Sequence, residues 1–395
     1  MQISFTSLRR DLGRVAFCLL GVALLAPATA SAGDFATSPS QPTRGEGAPA
    51  SSHNPVDPSP VAPHWTFSAE TTMLSRAGGG NQALVALVPG AVPWYYPAIP
   101  NSATYPGVEA LNSNQLWQGL AAGPKLGLTY NDDSGHGFEL SYFDVLGLSA
   151  AKSVGPGDQS NWLVMKAPGT FWQTQDYAYQ AMAWRDVTSL YSLEANGRLD
   201  LSPRVSLLAG LRWLQLNDEL KGTLTPSDLG EPTWKYDSTS TLAQAVPASG
   251  AAIVINPPFW TAKTTNNLYG VQIGVAGELW TLDRLSLDGA LKAGVYDNAA
   301  EQSALVSMQK RLFPTHAATN TAAFVGEAEL QAKYQLTDNL AFKVGYQALW
   351  MDGVALAPKQ IQQTYTTPAS ASALGVDHSS NALFQGVTLG VECSF

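Results

Sequence analysis

The final segment of the chain is the feature that most constrains its fold. It reads Leu389-Gly-Val391-Glu-Cys393-Ser-Phe395, so apolar residues alternate with small or polar ones up to an aromatic last residue. A soluble domain that ended on such a strand would expose an aggregation-prone edge, whereas the closing strand of a membrane barrel pairs with the first strand and faces lipid. The pattern therefore predicts an outer-membrane location, with outer-membrane lipid and the barrel-assembly machinery as partners. Four residues on one face form the predicted assembly signal: Leu389, Val391, Cys393 and Phe395.

The other end of the chain indicates export. Three arginines at positions 9, 10 and 14 precede an apolar run over 15–26, and either Ala28-Thr-Ala30 or Ala30-Ser-Ala32 supplies the small residues of a cleavage site. This is the pattern of a secretory signal peptide. A membrane-spanning anchor is disfavoured, because the apolar run is roughly a dozen residues and a spanning helix needs about 20. We predict a signal peptide over residues 1–32.

The next segment, residues 33–63, is rich in Pro, Ser, Ala and Thr and shows no hydrophobic period. Such a composition cannot bury enough apolar surface to fold, so it predicts a disordered periplasmic leader. The outer-membrane β-barrel is predicted to occupy residues 64–395.

Composition narrows the class of the folded part. Hydrophobic residues make up 45% of the chain and charged residues only 13%, yet no apolar run after the signal approaches the length of a spanning helix. This combination is typical of a barrel whose strands alternate inward and outward residues. The net charge of -9 argues against a nucleic-acid partner, for which a basic patch is expected.

Segments with the two-residue period of a strand recur along the chain, and their connections alternate between long and short. This asymmetry predicts an all-β fold: a transmembrane antiparallel β-barrel of about 10 strands with short periplasmic turns and long extracellular loops. Short apolar runs in 160–185 and 234–260 leave the number of strands open by two. The predicted strands are 65–76, 116–130, 137–149, 186–200, 204–220, 266–280, 285–297, 321–335, 340–356 and 380–395.

The two faces of each strand differ in chemistry. In the segment 321–335, residues 324, 326, 328, 330, 332 and 334 are apolar or small, while the alternate positions carry Glu327, Glu329, Gln331 and Lys333. We assign the first set to lipid and the second to the lumen. A soluble barrel with the apolar face inside is the alternative, since a single alternating strand cannot tell inside from outside. The charged residues predicted to line the lumen are Glu70, Arg76, Lys125, Glu139, Glu194, Arg198, Arg212, Glu278, Asp288, Lys292, Glu327, Glu329, Lys333 and Lys343.

These inward charges nearly balance, and a barrel of about ten strands is narrow. Two functions follow. The first is porin-like, passive passage of small polar solutes, tuned by the inward charges. The alternative is a closed structural or surface-recognition barrel that acts through its extracellular loops, with a lumen filled by ion-paired side chains. A continuous inner passage favours the first function, and a salt-bridged plug favours the second.

Enzymatic and metal-dependent functions are not predicted. Asp377 and His378 are adjacent in the last long loop, as in some protease barrels, but no paired carboxylates at matching strand ends accompany them. The five histidines show no ligand spacing, so no metal or other cofactor is expected. We predict that the chain is not an enzyme.

The first part of the predicted barrel carries a family resemblance. Its strand over 65–76, followed by 111–117, by Ala-Gly-Pro-Lys-Leu-Gly-Leu-Thr-Tyr over 122–130 and by 137–143, resembles the outer-membrane β-barrel porin family of planctomycete-type bacteria. The resemblance covers residues 65–395. It implies an outer-membrane location and a porin-type protein, and it carries over no transported solute and no functional residue.

Overall fold

The structure, a computed structural model, describes residues 65–77, 80–89, 108–155, 161–168, 179–226, 259–308, 311–366 and 370–395. The predicted signal peptide and leader lie outside the described residues, and they stay predictions. Within the described residues the chain forms β1 (Trp65–Ala77), β2 (Ala83–Pro89), β3 (Val108–Asn112), β4 (Gln118–Asn131), β5 (His136–Val154), β6 (Asn161–Met165), β7 (Tyr179–Ser202), β8 (Val205–Pro226), β9 (Phe259–Leu282), β10 (Leu285–Met308), β11 (Arg311–Thr337), β12 (Leu340–Val354), β13 (Thr364–Thr366), β14 (Ala371–Ala373) and β15 (Ser380–Ser394).

Ten of these strands form a closed antiparallel barrel in the order β1-β4-β5-β7-β8-β9-β10-β11-β12-β15, and β15 returns to β1. The closing ladder runs from Thr66 opposite Ser394 to Ala77 opposite Leu383. Beyond it, the backbone N–H of Trp65 donates to the carbonyl of Phe395 at 3.0 Å, and the reciprocal bond measures 2.9 Å. The predicted all-β barrel is therefore confirmed, and each of its strands overlaps one of the ten predicted segments.

The barrel wall is much taller on one side than on the other. Strands β7 to β11 contain 22–27 residues, whereas β1, β4, β12 and β15 contain 13–15. A difference of roughly ten residues corresponds to about 30 Å of strand. The strands predicted from the sequence lack these upper parts, because the upper parts turn polar residues such as Lys221 and Lys263 outward instead of apolar ones. We call the upper parts of β7 to β11 the tall wall.

An extracellular cap fills the notch above the short strands. It contains a three-stranded sheet in the order β3-β2-β6, the β13-β14 hairpin, and a short helix α1 (Ala357–Gln360). The side chains of Leu84, Val85 and Leu111 in the cap share one buried apolar cluster with Trp184 and Trp260 of the tall wall. Among the residues described above, no helix is both long and apolar enough to cross a membrane. The apolar run near residue 160 forms β6, a strand of the cap sheet, and the run predicted within 234–260 lies almost entirely outside the described residues.

The short turns at the opposite end are defined by local polar chemistry. In the β4–β5 turn the Asp132 carboxylate accepts hydrogen bonds from the Ser134 hydroxyl at 2.7 Å and from the backbone N–H groups of Ser134 and His136 at 2.9 Å. These bonds, led by the one from the Ser134 hydroxyl, hold the pKa of Asp132 below its ordinary value. The β9–β10 turn is only two residues long, and Asp283 adopts a φ of 51°, as tight hairpins require.

The outer surface carries an apolar band edged by aromatic rings. Large apolar side chains such as Ile273 and Leu291 are exposed on it, at 71% and 60%. Near the short turns the rings of Trp65, Tyr130 and Phe138 cluster with centroids 4.9–5.7 Å apart. Toward the other edge Phe324 and Trp350 lie 6.0 Å apart. Such rings are typical of the two membrane interfaces of a barrel.

Candidate functional site

The lumen is the site at which any transport would occur, and its periplasmic end forms a wet, charged vestibule. Lys333 pairs with Asp288 at 2.8 Å and with Glu392 at 3.1 Å, and these side chains are 15–28% exposed. Lys343 joins the same group through Glu392 at 3.1 Å. Partial exposure of paired charges indicates that water reaches this end of the lumen.

A drier layer of ion pairs lies deeper in the lumen. Arg212 on β8 contacts Glu327 on β11 at 2.5 Å, and both side chains are nearly inaccessible. Lys292 on β10 pairs with Glu194 on β7 at 2.6 Å and with Glu139 on β5 at 3.3 Å. These strands are not neighbours in the barrel order. The pairs therefore cross the lumen, and we call this set the ionic layer; Lys125 on β4, which pairs with Glu329 on β11, belongs to it.

Uncharged polar groups complete the ionic layer. The Gln272 amide donates to Glu194 at 2.6 Å and to Asn196 at 2.8 Å, and the Ser141 hydroxyl donates to Glu194 at 3.0 Å. The Nε of Arg212 donates to the Ser192 hydroxyl at 3.0 Å. Buried charges are tolerated when they are both paired and hydrogen-bonded, so this arrangement stabilises a filled cross-section.

Above the ionic layer the lumen becomes apolar. Inward side chains from most of the barrel strands form one buried cluster, which we call the apolar layer. Its members are Leu74, Phe143, Val145, Leu148, Leu190, Leu214, Leu216, Leu268, Tyr296, Ala323, Val325, Leu349, Met351, Val354, Leu356, Ala382 and Phe384. Packing of this kind resembles a protein core and leaves little room for water.

A second buried ion cluster lies at the base of the tall wall. Arg76 on β1 donates to Asp186 on β7 at 2.5 Å and to Asp218 on β8 at 2.7 Å, and all three side chains are inaccessible to solvent. The Thr188 hydroxyl donates to Asp218 at 2.7 Å and accepts from the Gln118 amide at 2.8 Å. Since β1 and β8 are not neighbours, this cluster also ties distant parts of the wall together.

The last extracellular loop descends into the mouth of the barrel. Its backbone is held by wall side chains: the N–H of Ala357 donates to Asp218 at 2.9 Å, and Asn266 bonds both the N–H and the carbonyl of Ala355, at 2.7 and 2.8 Å. Residues 355–357, together with Gln360 and Ile361, are fully buried. We call the segment 355–361 the plug.

Every predicted lumen residue takes part in an ion pair. Arg198 pairs with Asp200 at 3.2 Å and Glu70 with Lys343 at 2.9 Å. The ion pairs of the other members are described above, apart from that of Glu278. Glu278 lies at the periplasmic rim, where it contacts the exposed Arg204 at 3.6 Å. The structure thus brings most of the set together in the vestibule and the ionic layer, and it leaves Arg76, Arg198 and Glu278 apart.

Asp186 and Asp218, the two carboxylates of the Arg76 cluster, are not among the lumen residues predicted from the sequence. Counting inward by twos from Glu194 leads to Asp186, and counting from Arg212 leads to Asp218, so the signal was present. The intervening inward positions include leucines at 190, 214 and 216, which interrupt the polar-inside pattern.

The Asp377 and His378 side chains have separate partners. The carboxylate of Asp377 accepts from the backbone N–H and the hydroxyl of Ser379, at 2.9 and 2.6 Å. His378 Nδ1 lies 3.4 Å from the hydroxyl of Thr321. This geometry does not form the acid-base couple that general catalysis uses.

A closed antiparallel barrel with an apolar outer band and inward charges defines an outer-membrane β-barrel protein. The sequence profile of the family described as "Putative beta barrel porin-7" matches residues 182–395. The chain belongs to this family, so the predicted porin-family membership and outer-membrane location are confirmed. The planctomycete origin stays a prediction. No curated protein matches the chain.

Several solved structures are similar to the chain at low identity. The outer membrane protease OmpT from Escherichia coli is 11% identical, with a TM-score of 0.46 over 84% of this chain and 96% of OmpT. The Ralstonia pickettii toluene transporter TbuX is 10% identical, with a TM-score of 0.30 over 85% of this chain and 90% of TbuX. A Pseudomonas aeruginosa FadL homologue is 12% identical, with a TM-score of 0.24 over 84% and 89%. At these values the comparisons carry no functional information.

The contact between Trp65 and Phe395 leads to a prediction about assembly. In the structure Leu389 and Val391 lie opposite Thr71 and Ala69, and Cys393 lies opposite Phe67. The predicted assembly signal therefore lies in the ladder between β15 and β1 that closes the barrel. We expect Phe395→Ala to lower the amount of heat-modifiable barrel in the outer membrane several-fold, with little effect on refolding in detergent. Phe342→Ala, an exposed aromatic on the neighbouring strand, is the control. Equal losses in both variants would refute a specific role for Phe395.

Proposed function

We propose that this protein is a barrel that is closed at rest and acts through its capped extracellular end. The observation that carries this proposal is the plug, in which residues 355–357, 360 and 361 are fully buried and whose backbone is fixed to the wall by Asp218 and Asn266. The apolar layer and the ionic layer lie below it, so three obstacles stand in series. The cap then presents a fixed surface outside the cell, as structural or surface-recognition barrels require.

Passive passage of small polar solutes is the second candidate, and the periplasmic vestibule favours it. Paired charges that water reaches, such as Lys333 and Asp288, suit a solute that enters from the periplasm. Porin-family membership supports the same function. Passage requires the plug and both layers to rearrange, so this candidate is a gated pathway and not an open pore.

We propose no catalytic role, because the Asp377 and His378 side chains engage different partners. The proposed partners are outer-membrane lipid along the apolar band, the barrel-assembly machinery during insertion, and small polar solutes only in a rearranged state. The charge of -9 supports the view that nucleic acid is not a partner.

Single-channel recording in a planar bilayer tests the closed-barrel proposal. We expect the refolded, heat-modifiable protein to give no regular conductance steps at potentials at which an open 16-stranded porin conducts steadily. The open porin serves as the control for insertion and sensitivity. Frequent, uniform steps from the wild-type protein would overturn the proposal and favour passive passage.

A further inference from the structure

The barrel wall contains a seam between β4 and β5. The ladder between these strands ends at the pair of Lys125 and Phe143. Above this level β4 continues along β1 as far as Gln118, and β5 continues along β7 as far as Val154. The upper parts of β4 and β5 are therefore each paired on one side only within this sheet.

The residues at the seam explain why pairing stops. Pro124 has no N–H to donate to a ladder. At Gly123 the two strands still approach closely, since a Cβ added there would lie 1.7 Å from the carbonyl oxygen of Asp144. Above this point both strands bulge, between Leu74 and Arg76 in the β1–β4 register and between Val145 and Leu148 in the β5–β7 register. Bulges commonly end pairing and redirect side chains.

The seam is open and apolar. A Cβ added at Gly119 or at Gly147 would meet no atom within 4 Å, so space exists on both sides. Leu120 and Leu146 are 68% and 48% exposed. Ala121, the next residue along β4, is partly buried and packs against the apolar layer of the lumen. Exposed apolar side chains therefore flank the seam on the outer surface, and the apolar layer packs behind it.

The exposed face of the seam is continuous with the lipid-facing surface. Phe143 is buried inside, so its neighbour Tyr142 points outward, and Tyr142 lies opposite the exposed leucines Leu126 and Leu193. Leu146 follows four residues further along the same face. A molecule that reached the seam would therefore approach it from the membrane, near the outer interface.

One charge limits the chemistry of the occupant. Asp144 lies at the lower edge of the seam on the outward face, where it accepts a hydrogen bond from the Tyr142 hydroxyl at 2.7 Å. A carboxylate at this position repels fatty-acid carboxylates and lipid phosphates. We propose that the β4–β5 seam is a lateral binding site for an uncharged apolar molecule dissolved in the outer leaflet.

Photolabelling tests this proposal on the full barrel in lipid nanodiscs. The probe is an uncharged alkyl diazirine, and labelled residues are located by mass spectrometry with and without unlabelled dodecane as competitor. We expect dodecane to suppress labelling of residues 118–124 and 144–148, while labelling at Ile273, an exposed residue of the apolar band, is unaffected. Dodecanoate at the same concentration is expected to compete poorly at neutral pH.

A variant pair checks which residues form the site. Leu120→Gln combined with Leu146→Gln is expected to weaken competition by dodecane about tenfold, because both apolar contacts are lost. Leu291→Gln, at a comparably exposed leucine of the apolar band on β10, is expected to have no effect. Uniform labelling over the whole apolar band, unaltered competition in the double variant, or equal competition by dodecanoate would each overturn the proposal as stated. Because the lumen stays closed in this experiment, its outcome is independent of the conductance test.

Discussion

Replacement of Arg76 with methionine is expected to lower the free energy of unfolding by roughly 3–5 kcal/mol. Arg76 is the shared partner of Asp186 and Asp218, and none of the three side chains is accessible to solvent. Removing the guanidinium leaves two buried carboxylates close together with no cation between them. That loss of a partner costs far more than the net value of the ion pairs themselves.

The comparison should be made by urea titration in lipid vesicles, with heat-modifiability as the readout of folded barrel. Lys263→Met is the matched control, because Lys263 pairs with Glu219 at 3.0 Å at an exposed position, where an ion pair contributes about 1 kcal/mol or less. A triple variant, Arg76→Met with Asp186→Asn and Asp218→Asn, is expected to recover much of the loss. Equal stability of Arg76→Met and the control would contradict a buried, mutually dependent cluster.

The wall of the barrel could be predicted from the sequence because it follows one repeating rule. Wherever lipid lies outside, as along residues 324–334, the two-residue period is strict, and strand order follows from short hairpins. The rule weakens above the membrane. There the tall wall faces water on one side and the cap on the other. Residues 311–323 therefore do not follow the alternation of outward apolar and inward polar side chains seen within the membrane.

The contents of the lumen could be predicted only in part. The alternation places Glu194, Arg212 and Glu327 inside, but it does not tell which charges meet across the barrel, since this depends on strand tilt and shear. The plug was even harder to predict from the sequence. Its residues, Ala355 to Ile361, form less than two helical turns with no amphipathic period, and they are held by side chains about 90 to 140 positions away in sequence, Asn266 and Asp218.

In the closed state proposed above, the plug and the layers beneath it block the lumen in series, and this arrangement predicts where reagents reach. Thr264, beside the plug, is 2% exposed, whereas Ser286 lies in the periplasmic vestibule opposite Lys333. With the plug in place, we expect a cysteine introduced at position 264 to be protected from a membrane-impermeant thiol reagent, whether the reagent is outside the cell or in the periplasm. A cysteine at 286 should react once the reagent is admitted to the periplasm.

Replacement of residues 355–379 by a short Gly-Ser turn between β12 and β15 is the decisive change. It should expose position 264 to reagent outside the cell and raise its labelling rate by about a hundredfold or more, since local opening is no longer required. Position 286 should still react only from the periplasm, because the ionic layer and all of the apolar layer except Leu356 remain. The chain without an added cysteine supplies the background, and heat-modifiability confirms folding. Outside labelling at 286 would show that the plug alone closes the barrel, and continued protection at 264 would show that the plug does not close the mouth.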